Sequence, residues 1–180
     1  MVIDLKRCIG CYGCQLSCKA EHGTPPGVFF ARVVKREFGT YPNTQLVFLP
    51  LLCFHCTDAP CVDACPTGAS HYREGGVVDV HKDMCVGCRA CIQACPYGAR
   101  WFHPTRQVAA KCTLCYHRLV KGLVPACVEV CPTGARIFGE VEHRPTPLAR
   151  FMRMNEVQVL KPHLNTRPKV YYANLDGEVR

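Results

Sequence analysis

The sequence lacks a hydrophobic run long enough to cross a membrane. Its longest apolar stretch, residues 46–54, is short and contains Pro50, whereas a transmembrane helix needs about 20 apolar residues. No apolar targeting segment precedes Cys8, and Lys6-Arg7 is not a twin-arginine pair. Charged residues make up only 20% of the chain and low-complexity tracts are missing, which disfavours disorder. We therefore expect a folded chain with neither a membrane span nor a leader of its own.

Cysteine, in contrast, is abundant, with 16 residues in a chain of 180. The cysteines form four groups, each ending in C-x3-C. The groups are Cys8, Cys11, Cys14 and Cys18; Cys53, Cys56, Cys61 and Cys65; Cys85, Cys88, Cys91 and Cys95; and Cys112, Cys115, Cys127 and Cys131. Groups one and three read C-x2-C-x2-C-x3-C, and groups two and four widen the second gap. Proline follows the last cysteine in every group except the first, where Lys19 stands.

This spacing is typical of bacterial iron–sulfur proteins. Three thiolates on a tight loop can wrap one cubane, and the fourth, one helical turn later, reaches a neighbouring cluster. An internal repeat supports the interpretation, because CPTGAS, CPYGAR and CPTGAR begin at Cys65, Cys95 and Cys131. At four thiolates per cubane, the cysteines predict four [4Fe–4S] clusters with no ligand left over. His55 and His117 are therefore expected to lie beside the ligands or at the surface, without binding iron.

Other interpretations of a cysteine-rich basic chain are less favoured. A disulfide scaffold needs an oxidising compartment, and structural zinc uses isolated C-x2-C pairs. A zinc-structured interaction module remains an alternative, which the brown colour of an iron–sulfur protein would distinguish. The formal charge of +8 could suggest nucleic-acid binding, but four clusters of about −2 each offset it, so no nucleic-acid partner is expected. Six cations near the ligands are expected to raise cluster potentials: Lys6, Arg7, Lys19, Arg89, Lys111 and Arg118.

The order of the groups predicts how they pair. Groups two and three are close in sequence, as in small two-cluster ferredoxins, and this leaves groups one and four to pair around them. With exchanged fourth ligands, four ligand sets follow. Set A is Cys8, Cys11, Cys14 and Cys131; set B is Cys112, Cys115, Cys127 and Cys18; set C is Cys53, Cys56, Cys61 and Cys95; set D is Cys85, Cys88, Cys91 and Cys65.

The predicted fold class is therefore α+β, with two interleaved ferredoxin-like units built from short helices and β-hairpins. Residues 1–45 and 105–145 form the outer unit, residues 46–104 the inserted unit, and residues 146–180 a C-terminal docking tail. Short helices are predicted at 60–65, 89–95 and 125–131, a hairpin at 70–80 with Gly75-Gly76 at its turn, and a strand at 46–49. Two turns flanking strands are expected within residues 19–52, and an amphipathic helix is expected near 148–159.

The motifs resemble the four-cluster iron–sulfur subunit of complex iron–sulfur molybdoenzymes, the dimethyl sulfoxide reductase family. The similarity covers almost the whole chain, including MVIDLKRCIGCYGCQLSCKAE, LCFHCTDAPCVDACPTGA, MCVGCRACIQACPYGAR, KCTLCYHRLVKGLVPACVEVCPTGAR and TRPKVYY. The compact size and the short link between Cys95 and Cys112 are most similar to the polysulfide/thiosulfate reductase subunit. Some relatives replace the second cysteine of group three, but Cys88 stands here, so a full cubane is expected.

The resemblance implies an electron-transfer subunit that performs no catalysis itself. Its implied partners are a molybdenum or tungsten bis-pyranopterin catalytic subunit and an integral membrane quinone-reactive subunit, with clusters A to D in order between them. It also implies membrane association through the partner, on the periplasmic side, after export by the partner's twin-arginine signal. The alternative function is a soluble polyferredoxin-type wiring subunit of a cytoplasmic tungsten or molybdenum oxidoreductase.

Overall fold

The computed structural model describes residues 1–141 and 146–175. Most of the helices and strands in these residues are short. The helices are α1 (Gly13–His22), α2 (Pro60–Asp63), α3 (Ala90–Gln93), α4 (Tyr116–Leu119), α5 (Ala126–Glu129) and α6 (Pro147–Met154). The strands are β1 (Val2–Asp4), β2 (Arg32–Thr40), β3 (Asn43–Leu51), β4 (Ser70–Tyr72), β5 (Val78–Val80), β6 (Arg100–Phe102), β7 (Ala109–Lys111), β8 (Arg136–Ile137), β9 (Val157–Gln158) and β10 (Tyr171–Ala173). This mixture of small helices and strands agrees with the predicted α+β class.

Helix α1 was not predicted, and its length has a simple cause. The helices at the third cysteine of groups two, three and four have four residues each, and a Cys-Pro pair follows shortly after each of them. In group one Lys19 replaces that proline, so the helix continues for ten residues until Gly23, which has a φ of 55°. The Lys19 ammonium donates to the carbonyls of Thr24, Pro25 and Val28 and thereby fixes the loop that leaves the helix.

A four-stranded sheet joins the two ends of the chain. Its strand order is β8-β1-β10-β9, with β1 parallel to β10 and antiparallel to β8. The strand β10 therefore lies in the middle of the sheet, and the hydroxyl of the buried Tyr172 donates to the Pro50 carbonyl at 2.8 Å. The described part of the predicted C-terminal tail thus packs on the chain itself, while residues 176–180 lie outside the described residues.

The other strands form three antiparallel hairpins, β2–β3, β4–β5 and β6–β7. The predicted strand at 46–49 lies within β3, and the predicted hairpin at 70–80 is β4–β5 with a 3-10 turn at Glu74–Gly76, so both predictions are confirmed. The helix expected near 148–159 starts where predicted but ends at Met154, because Asn155 has extended backbone. Within residues 1–141 and 146–175, no helix is both long and apolar enough to traverse a bilayer.

The core differs from that of an ordinary small domain because thiols occupy much of its centre. Buried aliphatic and aromatic side chains such as Ile3, Phe54 and Tyr172 pack in one cluster with seven buried cysteines. These are Cys18, Cys53, Cys56, Cys61, Cys91, Cys112 and Cys127. The packing of the chain therefore depends on what the thiols bind as well as on apolar contact.

Candidate metal centre

Two cavities in the structure are lined by cysteines from different groups. The first contains all four members of the predicted set A together with Arg136, and three of its cysteines come from group one while Cys131 comes from group four. The second contains all four members of the predicted set D, where Cys65 of group two joins three cysteines of group three. In both cavities the fourth thiol thus comes from another group.

Electrostatic interactions locate the remaining thiols. Burial first, and then the nearby thiolates of Cys127 and Cys115, raise the pKa of Cys18 to about 12. Burial and the neighbouring thiolate of Cys18 also raise the pKa of Cys112. Cys18 therefore lies among the three group-four cysteines of set B, and this agrees with the packing of α1 against α5.

The same reasoning places Cys95 among the first three cysteines of group two. Burial, followed by the thiolates of Cys53, Cys61 and Cys95, raises the pKa of Cys56 to about 11, although a hydrogen bond with Thr166 opposes the shift. Helices α2 and α3 pack against each other and bring the two groups together. All sixteen cysteines are free thiols, so the structure does not have the disulfides of the alternative scaffold.

The loops that carry the first cysteines of groups one and three share a backbone conformation. Gly10 and Tyr12 in group one, and Gly87 and Arg89 in group three, all have positive φ angles. Left-handed residues turn the chain tightly and let successive cysteines point to one side. A Cβ atom on Gly87 would lie 2.4 Å from the backbone oxygen of Gln107, so this loop also requires glycine for space.

We expect Gly87→Ala to reduce iron by up to about four atoms per chain, because the clash with fixed backbone displaces the loop that carries Cys85 and Cys88. Iron analysis after anaerobic purification measures the loss. Gly122→Ala is the matched control, since Gly122 has nearly the same φ, +73° against +70°, with no atom within 4 Å of the added Cβ. Equal iron loss in the two variants would contradict the steric explanation.

The CPTGA repeat supplies hydrogen-bond donors to sulfur, a role that sequence analysis did not assign. The backbone amide of Ser70 donates to Cys65 Sγ at 3.3 Å, and the Thr67 hydroxyl lies 3.7 Å from the same sulfur. Burial raises the pKa of the Cys65 thiol, but these hydrogen bonds outweigh it and lower the pKa below its usual value. The equivalent donors around Cys131, the Arg136 amide and the Thr133 hydroxyl, have the same effect. The CPTGA repeat is the feature of the sequence that could have indicated this role.

The six cations named from the sequence have mixed roles. Lys111 is buried, and Lys111 and Arg118 oppose the rise in the pKa values of Cys112 and Cys115. Lys19 instead binds backbone carbonyls, and Arg7 pairs with Asp4 at 3.2 Å. Two further cations, which the sequence analysis did not single out, lie beside thiols: Arg136 donates to Cys14 Sγ at 3.5 Å, and Arg100 is a neighbour of Cys61 and Cys91.

The two histidines near the groups are placed differently. His55 is fully buried, its Nδ1 accepts from the Val78 amide at 3.2 Å, and burial together with the nearby Lys111 lowers its pKa well below the usual value. Because Nδ1 is an acceptor, the proton of the neutral ring is on Nε2. His117 lies at the surface, 2.6 Å from Glu21, as predicted. His22, with Nε2 at 3.5 Å from Cys115 Sγ, had no sequence signal.

The environment of the thiols fits an anionic, sulfur-rich group. Three buried donor nitrogens have no hydrogen-bond partner among the described residues: His55 Nε2, Arg100 Nε and Arg100 Nη1. Buried donors almost always have a partner, and Arg100 lies beside the thiols of Cys61 and Cys91. Within the same residues, no three His, Cys, Asp or Glu side chains converge on a point as one metal ion would require. An anionic iron–sulfur cluster would give the unpartnered Arg100 donors a partner.

Comparison with known proteins supports this chemistry. Two family models, each described as a 4Fe-4S dicluster domain, match residues 44–141 and 7–69. A tetrathionate reductase subunit of Salmonella typhimurium is 47% identical over 98% of this chain and 72% of its own length. The arsenate respiratory reductase iron-sulfur subunit of Shewanella sp. is 34% identical, with 98% and 96% covered. A sulfite dehydrogenase subunit of Allochromatium vinosum is 40% identical, with 96% and 81% covered.

The relatives match nearly the whole chain, and the two dicluster-domain matches together include all four cysteine groups. The relatives are named as subunits of two reductases and a dehydrogenase, and the arsenate reductase relative is named as the iron–sulfur subunit. The chain belongs to the family of 4Fe–4S, ferredoxin-like iron–sulfur subunits that transfer electrons within respiratory molybdoenzyme complexes of the dimethyl sulfoxide reductase type.

Proposed function

We propose that this chain binds four [4Fe–4S] clusters and relays electrons between a molybdenum or tungsten bis-pyranopterin catalytic subunit and an integral membrane quinone-reactive subunit. The observation that carries the proposal is the division of sixteen free thiols into four neighbourhoods, each completed by a cysteine from another group. When bound, such clusters supply one-electron transfer. The chain's own residues would hold them and donate hydrogen bonds to their thiolates.

The proposed ligands are sets A to D as defined above. Two cysteine-lined cavities support sets A and D, and interactions between thiols support sets B and C. The proposed interleaving of two ferredoxin-like units is supported by strand β1, which precedes group one and pairs with β8 after group four. Contacts of α1 with α5 and of α2 with α3 agree with the same pairing.

The four sets form a continuous series, which supports transfer in the order A, B, C, D. The thiol of Cys14 in set A is a neighbour of Cys127 in set B, and Cys112 in set B is a neighbour of Cys53 in set C. Arg100 lies next to cysteines of both set C and set D. These neighbour relations between successive sets support electron transfer along the whole series.

Exposed apolar side chains at both ends of the series support docking to two partners. Ile9, 60% exposed, lies at the cavity of set A, and Val86, 69% exposed, lies at the cavity of set D. Apolar side chains exposed beside a functional site are typical of protein interfaces. Together with the subunit names of the relatives, they support docking to partner subunits. The placement of a catalytic partner at the A end and a membrane partner at the D end, on the periplasmic side, is proposed in the order that the family resemblance implies.

Anaerobic analysis of the purified chain should give about sixteen iron and about sixteen acid-labile sulfide per chain, because each cubane takes four thiolates. Zinc measured in parallel is the control for the zinc-structured alternative. Well under twelve iron from intact protein, or mainly zinc, would contradict four cubanes.

Purification of the native complex under argon, with identification of its subunits, tests the partners. Recovery of a bis-pyranopterin subunit and a polytopic membrane subunit is expected. Recovery of a water-soluble tungsten or molybdenum enzyme without a membrane subunit would instead favour a polyferredoxin-type wiring role.

A further inference from the structure

Two arginines occupy equivalent positions in the two halves of the molecule. Arg100 follows Cys95-Pro-Tyr-Gly-Ala and begins β6, while Arg136 follows Cys131-Pro-Thr-Gly-Ala and begins β8. Both side chains are buried, with Arg100 4% and Arg136 3% exposed. Neither guanidinium pairs with a carboxylate in the ion pairs of the described residues. A buried cation needs a compensating anion, which the cysteines around each arginine would supply as thiolates once a cluster is bound.

The guanidinium of Arg136 spans two ligand sets. Its Nη2 donates to Cys14 Sγ of set A at 3.5 Å, and its Nη1 donates to Cys127 Sγ of set B at 3.8 Å. The planar fork of arginine allows one side chain to contact two acceptors at once, which a lysine ammonium on a single stem cannot do in the same geometry. Arg136 is therefore shared between sets A and B.

Arg100 has the corresponding position between sets C and D. It lies beside Cys61 of set C and Cys91 of set D, while its Nη2 donates to Ser70 Oγ at 2.7 Å. Cys14, Cys127, Cys61 and Cys91 are each the third cysteine of their group. Each arginine thus lies beside the third cysteines of the two groups in its pair of sets, and Arg136 donates to both of its cysteines whereas Arg100 Nε and Nη1 remain without a partner among the described residues.

We propose that Arg100 and Arg136 are bridging arginines, each of which raises the reduction potentials of both clusters of one pair. The inference rests on the proposed ligand sets. Reduction adds one electron to a cubane and its four thiolates, taking their charge from about −2 to about −3, and no proton or bond change is needed. A buried cation between two such sites stabilises the added electron on either side, because Coulomb interactions are strong at low dielectric constant.

The test uses the cluster-loaded full chain and redox titration followed by electron paramagnetic resonance, with signals assigned through cysteine variants of each set. Arg136→Gln should disfavour reduction of clusters A and B by about tenfold or more, which is about 59 mV for a one-electron couple, and leave C and D unchanged. Arg100→Gln should shift C and D and leave A and B unchanged. Each variant is therefore the control for the other, and Arg153→Gln on the exposed face of α6 should shift none.

A lysine variant separates the effect of the positive charge from the effect of the two hydrogen bonds that the planar guanidinium makes. Arg136→Lys keeps the charge but loses the double contact, so smaller shifts of A and B are expected, and this variant decides the question if Arg136→Gln fails to load its clusters. Unchanged potentials in the loaded Gln and Lys variants, a shift of one cluster of a pair alone, or equal shifts of all four would overturn the proposal. Fewer than four clusters in the wild-type chain would instead overturn the proposed function, so the two failures are distinguishable.

Discussion

Replacing Cys18 by serine is expected to remove the cluster of Cys112, Cys115 and Cys127 and to leave the cluster of group one in place. Cys14 and Cys18 both lie in α1, and four residues of α-helix span about 6 Å. Cys14 lines the cavity of set A, whereas Cys18 is buried among the thiols of set B. In the proposed ligand sets the helix carries ligands of two neighbouring clusters, so the expected loss is about four of sixteen iron atoms.

The exchange of fourth ligands is tested most directly by comparing the signals lost in variants of cysteines from the same predicted set. The paramagnetic resonance signal lost in Cys18→Ser should match the signal lost in Cys115→Ser and differ from the signal lost in Cys11→Ser. Cys131→Ser is the reciprocal control, and its lost signal should match that of Cys11→Ser. If Cys18→Ser and Cys11→Ser lose the same signal, the exchange of fourth ligands is wrong and the continuity of the series from A to D is lost with it.

Removal of the clusters with a chelator should abolish the cooperative thermal transition of the chain. Four of the six described helices have four residues, far below the length at which an isolated helix is stable, and two of the hairpins have strands of three residues. Buried cysteines also occupy the main core cluster. Metal binding therefore has to supply much of the folding free energy.

Differential scanning calorimetry and near-ultraviolet circular dichroism measure this effect. The holo-chain should show one endotherm and a fixed aromatic signal, and the stripped chain should show neither. Reconstitution with iron and sulfide under argon is the control, and it should restore both. A stripped chain that keeps a cooperative transition would show that apolar packing alone suffices.

Several features could be predicted because they depend on neighbours in sequence. The C-x2-C spacing and the following proline define loops and short helices within a few residues, so the helices of groups two, three and four and the hairpin at 70–80 were predicted. The same local logic explains the missed helix α1, since Lys19 stands where a proline ends the helix elsewhere. The repeat indicated the chemistry of the site, but not that Thr67 and Thr133 contribute donors to sulfur.

The sequence by itself determined the number of cysteines, their grouping and the iron–sulfur chemistry, because cysteine spacing is a short-range property of the chain. Tertiary structure alone decided which buried cations contact the thiols. Arg136 and Cys14 are 122 residues apart, so their contact exists only after distant parts of the chain pack together. The same holds for β10, which enters the sheet beside β1 from the far end of the chain. Contacts between residues so far apart leave no signal in the sequence, because periodic patterns of apolar residues report only on neighbours within one helix or strand.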